Sequence, residues 1–360
     1  MESRKLRVGI THGDINGIGY EILLKALETQ NNQGVAEMCT PIVYGSAKIA
    51  AFYRKAPDMP DVKLTIIDSP DAVDPAQARN YIINVVPEDT PVNPGEATKA
   101  AGSAAVAALE RAVADLREGR IDVLVTCPIN KNTIHGEEFD FPGHTEFLEA
   151  RLGGEGDKAM MIMASEHMRV ALVTIHEAIK DVAPKITKQA VYESIMALHR
   201  SLVKDFGVHA PRIAVLGLNP HAGDGGVIGS EDTDIIAPAI ADAYKKKVLA
   251  FGPYPADGFF AGGAYKKFDG ILAMYHDQGL TPFKLIAGEK GVNFTAGLPW
   301  VRTSPDHGTA YDIAGKGVAD PQSLREAIYA AIDIYRCRQR EADATANPLK
   351  KQNFDRGNDK

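Results

Sequence analysis

The sequence predicts an α/β protein with a largely parallel or mixed sheet. Two observations carry that expectation. Apolar runs of strand length alternate with stretches of helical periodicity along the whole chain. The composition, 45% hydrophobic and 24% charged over 360 residues, is that of an ordinary globular protein. The length makes two domains the fair expectation.

The elements follow in order. "KLRVGIT" is the first strand, and a helical segment runs from about Tyr20 to Thr29. "CTPIVYG" and "VKLTIID" are the next strands. The Ala-rich "EATKAAGSAAVAALERAVADLREG" is a helix with Val106, Leu109, Val113 and Leu116 on one face and Gly119 as its stop. "IDVLVTCPI" is a further strand. Three more buried-type runs, "RVALVTIH", "RIAVLGLNPH" and "FDGILAMYH", alternate with helical patterns. No internal repeat is visible. The chain beyond about Asp343 is polar and aperiodic, as a frayed tail would be.

Composition narrows the function. The net charge of −7 gives no reason to expect nucleic acid, so an anionic substrate would need locally placed positive charge. Cys39, Cys127 and Cys337 are odd in number, far apart and never in a CxxC pair. This argues for a reducing compartment and against a disulfide framework or a cysteine-built zinc site. No signal-peptide h-region and no apolar stretch of about 18 residues occurs, so the expectation is a cytoplasmic protein with no membrane partner.

The last three strand runs each end in a histidine: His176, His221 and His276. In open α/β sheets, ligands bind beyond the carboxyl ends of the strands, where distant residues converge. Three neutral imidazoles there would suit a divalent metal. A single histidine beside a strand is more often a surface or hydrogen-bonded residue, and only the threefold placement favours ligation.

The neighbouring loops carry further candidates. "NPHAGDGGVIGSED" is dense in glycine. It is either backbone that approaches a ligand closely or a flexible turn before a helix capped by Ser230. In "FPGHTEFLEA", His144 and Thr145 stand just before a helix. Its first amides would suit an anion such as phosphate, and a plain N-cap role for Thr145 fits equally well. In "GITHGDINGIGYE", Gly13, Gly17 and Gly19 read GxxxGxG rather than GxGxxG, and no Walker lysine follows. The favoured reading is a glycine turn, with no Rossmann domain. "GVNFTAGLPWVRTSPDHGTAYDIAGKGVADP" is long and largely aperiodic, which in a compact protein signals function. It holds Asn293, Arg302, Asp306, His307, Thr309 and Asp312. Arg302 suits a bidentate grip on phosphate or carboxylate, and Lys284 would add a point charge.

Together, "GDINGIGYEI", "PINK", "FPGHTEFL", "NPHAGDGGVIGSED", "MYHDQGLTPFK" and "GVNFTAGLPWVRTSPDHGTAYDIAGKG" resemble the family of 4-hydroxythreonine-4-phosphate dehydrogenase, an enzyme of pyridoxal phosphate biosynthesis, over roughly residues 5 to 340. The last stretch also resembles the segment with which isocitrate and isopropylmalate dehydrogenases bind the adenosine end of their cofactor. The resemblance implies the fold of those enzymes, two α/β subdomains with a cleft between them. Residues 1–130 plus 291–345 would form one, residues 131–290 the other, and 346–360 a flexible tail. It implies His176, His221 and His276 as ligands of one divalent metal (Zn, Mg, Mn or Co). It implies a homodimer with a shared site, His276 coming from the partner chain. Substrate contacts are implied at His144, Thr145, Lys284, Asn293 and Arg302. NAD or NADP would be held by His307, Gly308, Thr309 and Asp312.

The implied reaction oxidises 4-phosphohydroxy-L-threonine to a β-keto acid that decarboxylates. Asp277 is read as a partner that orients an imidazole, though a direct acid–base role stays open. Asp257 and Lys131 are the other acid–base candidates. The family's "GDPAGIGPE" is here altered by Ile15, Asn16 and Tyr20, and its "TTH" with a following proline–leucine by Ile175, Glu177 and Ala178. Related 4-phospho-D-threonate or D-erythronate 4-phosphate dehydrogenases are therefore the alternative. A non-redox phosphate-metabolite enzyme or metal-dependent binding protein on the same scaffold is the distant one.

Overall fold

The structure, a computed structural model, describes residues 4–28, 34–135, 141, 143–154 and 156–347. Its strands are β1 (Arg7–Thr11), β2 (Thr40–Gly45), β3 (Leu64–Ile66), β4 (Asn80–Asn84), β5 (Val123–Thr126) and β6 (Met160–Ala164). They continue with β7 (Arg169–Leu172), β8 (Arg212–Leu216), β9 (Leu249–Tyr254), β10 (Gly270–Ala273), β11 (Val292–Ala296) and β12 (Arg302–Pro305). All join one sheet in the order β3-β4-β2-β1-β5-β12-β11-β6-β7-β10-β8-β9.

Pairing is parallel from β3 through β12 and again from β7 through β9. It is antiparallel at the β12–β11, β11–β6 and β6–β7 contacts. The mixed α/β sheet that the sequence predicts is therefore present, as two parallel wings joined by an antiparallel centre. This order is not that of a doubly wound dinucleotide-binding sheet.

Five strands escape the sequence reading: β4, β6, β9, β11 and β12. The last two correct it most. They lie inside the stretch read as aperiodic, and they occupy the middle of the sheet. The reason is chemical. Thr295, Arg302 and Thr303 are 1%, 3% and 0% exposed, so the strands are buried without being apolar runs. Thr303 Oγ1 donates to Ala327 O at 2.7 Å, which satisfies a group that burial would otherwise destabilise.

The predicted Ala-rich helix is Lys99–Arg117, and the Thr98 hydroxyl caps it by accepting from Ala101 N at 3.2 Å. Its small residues allow close approach. A Cβ at Gly102 would fall 2.1 Å from Thr133 O, so the helix start lies directly against the segment that carries Lys131. The last helix, Gln322–Thr345, packs on β12 and β11 and extends to the start of the expected tail. Residues 348–360 lie outside the described residues. Among the described residues, no helix is long and apolar enough to cross a membrane.

Candidate functional site

The three histidine-ended runs become β7, β8 and β10. They stand side by side in the order β7-β10-β8, all parallel, so their carboxyl ends open on one edge of the sheet. The strands end earlier than the runs suggest, at Leu172, Leu216 and Ala273. His276 is the first residue of the helix His276–Ala287, not a strand end.

Ladder bonding continues past β7 and β10. Val173 N donates to Ala273 O at 2.9 Å, and Thr174 Oγ1 donates to Met274 O at 2.8 Å. This zips the two loops together and brings the His176 and His276 rings to a centroid separation of 6.0 Å. Burial, then Lys131 and His276, hold His176 below its ordinary value of 6.5, so it is neutral at pH 7. Asp277 Oδ1 lies 2.7 Å from His276 Nδ1, which fixes that ring and leaves Nε2 available.

His276 thus lies beside His176 of its own chain. His221 is separate, on an exposed turn after β8. Among the described residues, no three His, Cys, Asp or Glu side chains come close enough to hold a metal ion. The donor chemistry fits a divalent cation, with two imidazoles side by side and one of them oriented by a carboxylate, and among the described residues one chain brings together only two of the three expected histidines.

The His221 turn follows a left-handed path. His221, Ala222, Gly223, Asp224 and Gly225 have φ of 55°, 51°, 79°, 43° and 64°. Left-handed backbone costs an L-residue about 1–2 kcal/mol, so the three non-glycine members need outside support. The next helical segment begins at Asp232, with no side-chain cap.

A second cluster lies at the helix His144–Leu152. Gly143 precedes it and no side chain caps it, so the first amides remain open to an anion. Thr145 sits inside the first turn and is not the cap. His144 Nε2 is buried without a hydrogen-bond partner. Arg302 is 3% exposed, and its guanidinium donates to Thr126 Oγ1 at 2.6 and 3.0 Å and to Thr295 Oγ1 at 3.1 Å. Among the described residues, no carboxylate forms an ion pair with it. Burial lowers Arg302 to about 9, against the pull of Glu146. Burial, then Arg302 and Lys131, hold His144 well below 6.5.

Lys131 links the two clusters. A Cβ on Gly143 would lie 3.6 Å from Lys131 Cε and 3.5 Å from Glu146 Oε2. The same lysine depresses His144 and His176, and Glu146 favours the charged forms of His176 and Arg302. The sequence offered Lys131 only as an acid–base candidate and gave Glu146 no role. Its position in the first turn of the His144 helix was the available signal.

The remaining candidates divide. Lys284 is tied to Asp306, with Nζ 3.2 Å from both the carbonyl oxygen and Oδ1. Burial raises the Asp306 carboxyl, and Lys284 opposes that. Asn293 Oδ1 and His307 Nε2 are buried without partners. Gly308 and Asp312 are exposed. Thr309 O accepts from Ile18 N at 3.0 Å. Asp257 is exposed on the helix Ala256–Ala261 after the edge strand β9, and no hydrogen bond joins it to the histidines.

The glycine turn before Tyr20 approaches protein rather than phosphate. A Cβ at Gly17 would meet Thr309 O at 2.7 Å, so this turn carries the 306–317 segment. The Tyr311 hydroxyl donates to Asp14 Oδ2 at 2.8 Å and accepts from Asn130 Nδ2 at 2.9 Å. Two residues that depart from the family pattern point inward. Asn16 Nδ2 donates to Glu96 O at 2.9 Å, and Tyr20 stacks between His12 and Tyr53 at 5.2 and 5.7 Å. Both are fully buried in protein contacts.

Fold and geometry define the class first: an α/β protein with an uncapped helix start, a buried arginine and a histidine pair near one another on its sheet. Residues 37–331 match the family described as pyridoxal phosphate biosynthetic protein PdxA. The chain belongs to that family. It is 54% identical over 359 residues to 4-hydroxythreonine-4-phosphate dehydrogenase of Bacteroides thetaiotaomicron, covering 100% of this chain and 97% of the relative. It is 40% identical over 333 residues to D-threonate 4-phosphate dehydrogenase of Cupriavidus necator, covering 91% and 96%. The crystal structure of 4-hydroxythreonine-4-phosphate dehydrogenase from Klebsiella pneumoniae superposes with a TM-score of 0.80 at 34% identity, covering 93% of this chain and 99% of that one.

Proposed function

We propose that the chain oxidises 4-phosphohydroxy-L-threonine, with NAD or NADP as hydride acceptor and one divalent cation per site, in pyridoxal phosphate biosynthesis. The C3 carbinol loses a hydride and a proton to give 2-amino-3-oxo-4-phosphooxybutanoate. This β-keto acid loses CO2 to leave 3-amino-2-oxopropyl phosphate.

One observation carries the reading. Among the described residues, Arg302 is a buried guanidinium with no carboxylate in an ion pair, in one electrostatic cluster with a His144 Nε2 that lacks a hydrogen-bond partner at an uncapped helix start. An uncompensated buried charge is unfavourable, and a phosphate compensates it. Thr145 and Lys131 complete this grip, while Asn293 and Lys284 bind the rest of the substrate. His307, Gly308, Thr309 and Asp312 hold the cofactor.

A divalent cation at His176, His221 and His276 would supply the positive charge that eases loss of the hydroxyl proton and stabilises the enolate when CO2 leaves. The chain's own part is to keep His176 unprotonated and to aim His276 through Asp277. Of the acid–base candidates, Lys131 is the one set between the phosphate grip and the histidine pair.

The chain is further read as a cytoplasmic homodimer whose subunits complete each other's site, its two sheet wings being the two subdomains. Because His176 and His276 pair within one chain, His221 is the ligand to come from across. Mixed His221→Ala and His276→Ala chains should then regain activity, and mixed His176→Ala and His276→Ala chains should not. The opposite pattern would contradict this arrangement.

The activity test follows nicotinamide reduction with purified protein and a divalent metal. The substrates are 4-phosphohydroxy-L-threonine, D-threonate 4-phosphate and D-erythronate 4-phosphate. The highest kcat/KM is expected with the first. A preference for D-threonate 4-phosphate would move the chain to the activity of its Cupriavidus necator relative. No reduction with any of them would sink the dehydrogenase reading.

A further inference from the structure

The root of the His221 turn is held by two side chains outside the proposed reaction. From Gly217 to Asp232 the chain folds onto itself. A Cβ at Gly217 would fall 3.0 Å from Ala222 Cα, and one at Gly223 would fall 2.8 Å from Gly229 O. Asp232 closes this loop. It is 0% exposed, its Oδ1 accepts from Leu218 N at 2.7 Å, and its Oδ2 accepts from Asn219 N at 3.1 Å and Asn219 Nδ2 at 2.9 Å. A buried carboxylate directed at successive amides of one loop fixes that loop's path.

Gln278 ties the same loop to the neighbouring strand end. Its Oε1 accepts from Met274 N at 2.7 Å, two residues before His276. Its Nε2 donates to Gly217 O at 2.6 Å, at the root of the His221 turn. One side chain therefore spans the roots of the two loops that carry His221 and His276. Strained backbone persists only where its surroundings over-determine it, and Asp232 with Gln278 fixes the residues from which this turn starts.

We propose that Asp232 and Gln278 are positioning residues that fix the His221 turn on the sheet edge, and thereby set the affinity of the cation site that this turn completes. The proposal rests on the metal reading above. Residues that orient metal ligands without touching the ion change affinity by about 10–100-fold when replaced. A merely structural pair would instead lower stability and leave affinity for the ion in the folded protein unchanged.

The experiment titrates Co2+ alone into the metal-free full chain, reading the dissociation constant by competition with a chromophoric chelator and the coordination from the cobalt visible bands. His221→Ala must weaken binding. If it does not, the metal reading fails at His221 and this proposal falls with it. Asp232→Asn and Gln278→Met are each expected to raise the dissociation constant by about tenfold or more and to alter the cobalt bands. Their affinity for inorganic phosphate should stay within about twofold, since the phosphate grip uses other elements. If His221→Ala weakens Co2+ binding while both folded variants match the wild type, only the positioning proposal is overturned. Should Asp232→Asn fail to fold, Gln278→Met decides alone.

Discussion

The anion pocket and the histidine edge are built in different ways. The pocket draws on the middle of the sheet. Arg302 is in β12, pinned by hydroxyls from β5 and β11, and cannot move without breaking buried hydrogen bonds. The histidines stand on turns and a helix start beyond β7, β8 and β10, and among the described residues only two of them meet within a chain. A charge to be desolvated is best placed where the scaffold is stiffest, while the proposed ion ligands sit at strand and helix ends where other side chains can aim them.

Changes at the histidine edge should therefore remove activity without unfolding the protein. The largest effect at this edge is expected for His276→Ala. Loss of one ligand should lower kcat/KM by about 100-fold or more, with a melting temperature close to wild type. An unfolded variant would instead make the histidines structural and erase the contrast with the pocket.

Acid should weaken the scaffold around the glycine turn. His12 is 0% exposed and its value is lowered by burial to about 4, against 6.5 in an unfolded chain. Between those values the unfolded state holds a proton that the folded state lacks. Stability is therefore full above about pH 6.5 and falls as pH drops toward 4, by roughly 3 kcal/mol for this group alone. His144, also depressed, acts in the same direction. Urea midpoints at pH 7 and pH 5 measure the fall. His12→Phe, which keeps a ring on Tyr20, should flatten that dependence, and an unchanged slope would show that His12 does not carry it.

The smallest effect is expected at Asp277→Asn. Its carboxylate orients His276 from an exposed position, so metal affinity should weaken by about tenfold. Loss of all turnover with metal affinity intact would instead make Asp277 the proton-transfer group.

Much of this site could be read from sequence, and the remainder has physical causes. The strand-end histidines were visible because each follows an apolar run. Their neighbourhood was not, since β7, β10 and β8 are brought together by crossover connections whose order no local pattern encodes. Arg302 was legible as an anion-binding candidate but not as a buried strand residue, because "VRTSPD" has the composition of a loop. Asp232 and Gln278 left no signal, because their role lies in hydrogen bonds to distant backbone.

The most direct measurement compares kcat/KM for 4-phosphohydroxy-L-threonine with that for unphosphorylated 4-hydroxy-L-threonine, in the wild type and in Arg302→Met. The phosphate should raise kcat/KM by about 1000-fold or more in the wild type, and most of that factor should vanish in the variant. An equal phosphate factor in both proteins would contradict the assignment of Arg302 as the phosphate's buried partner.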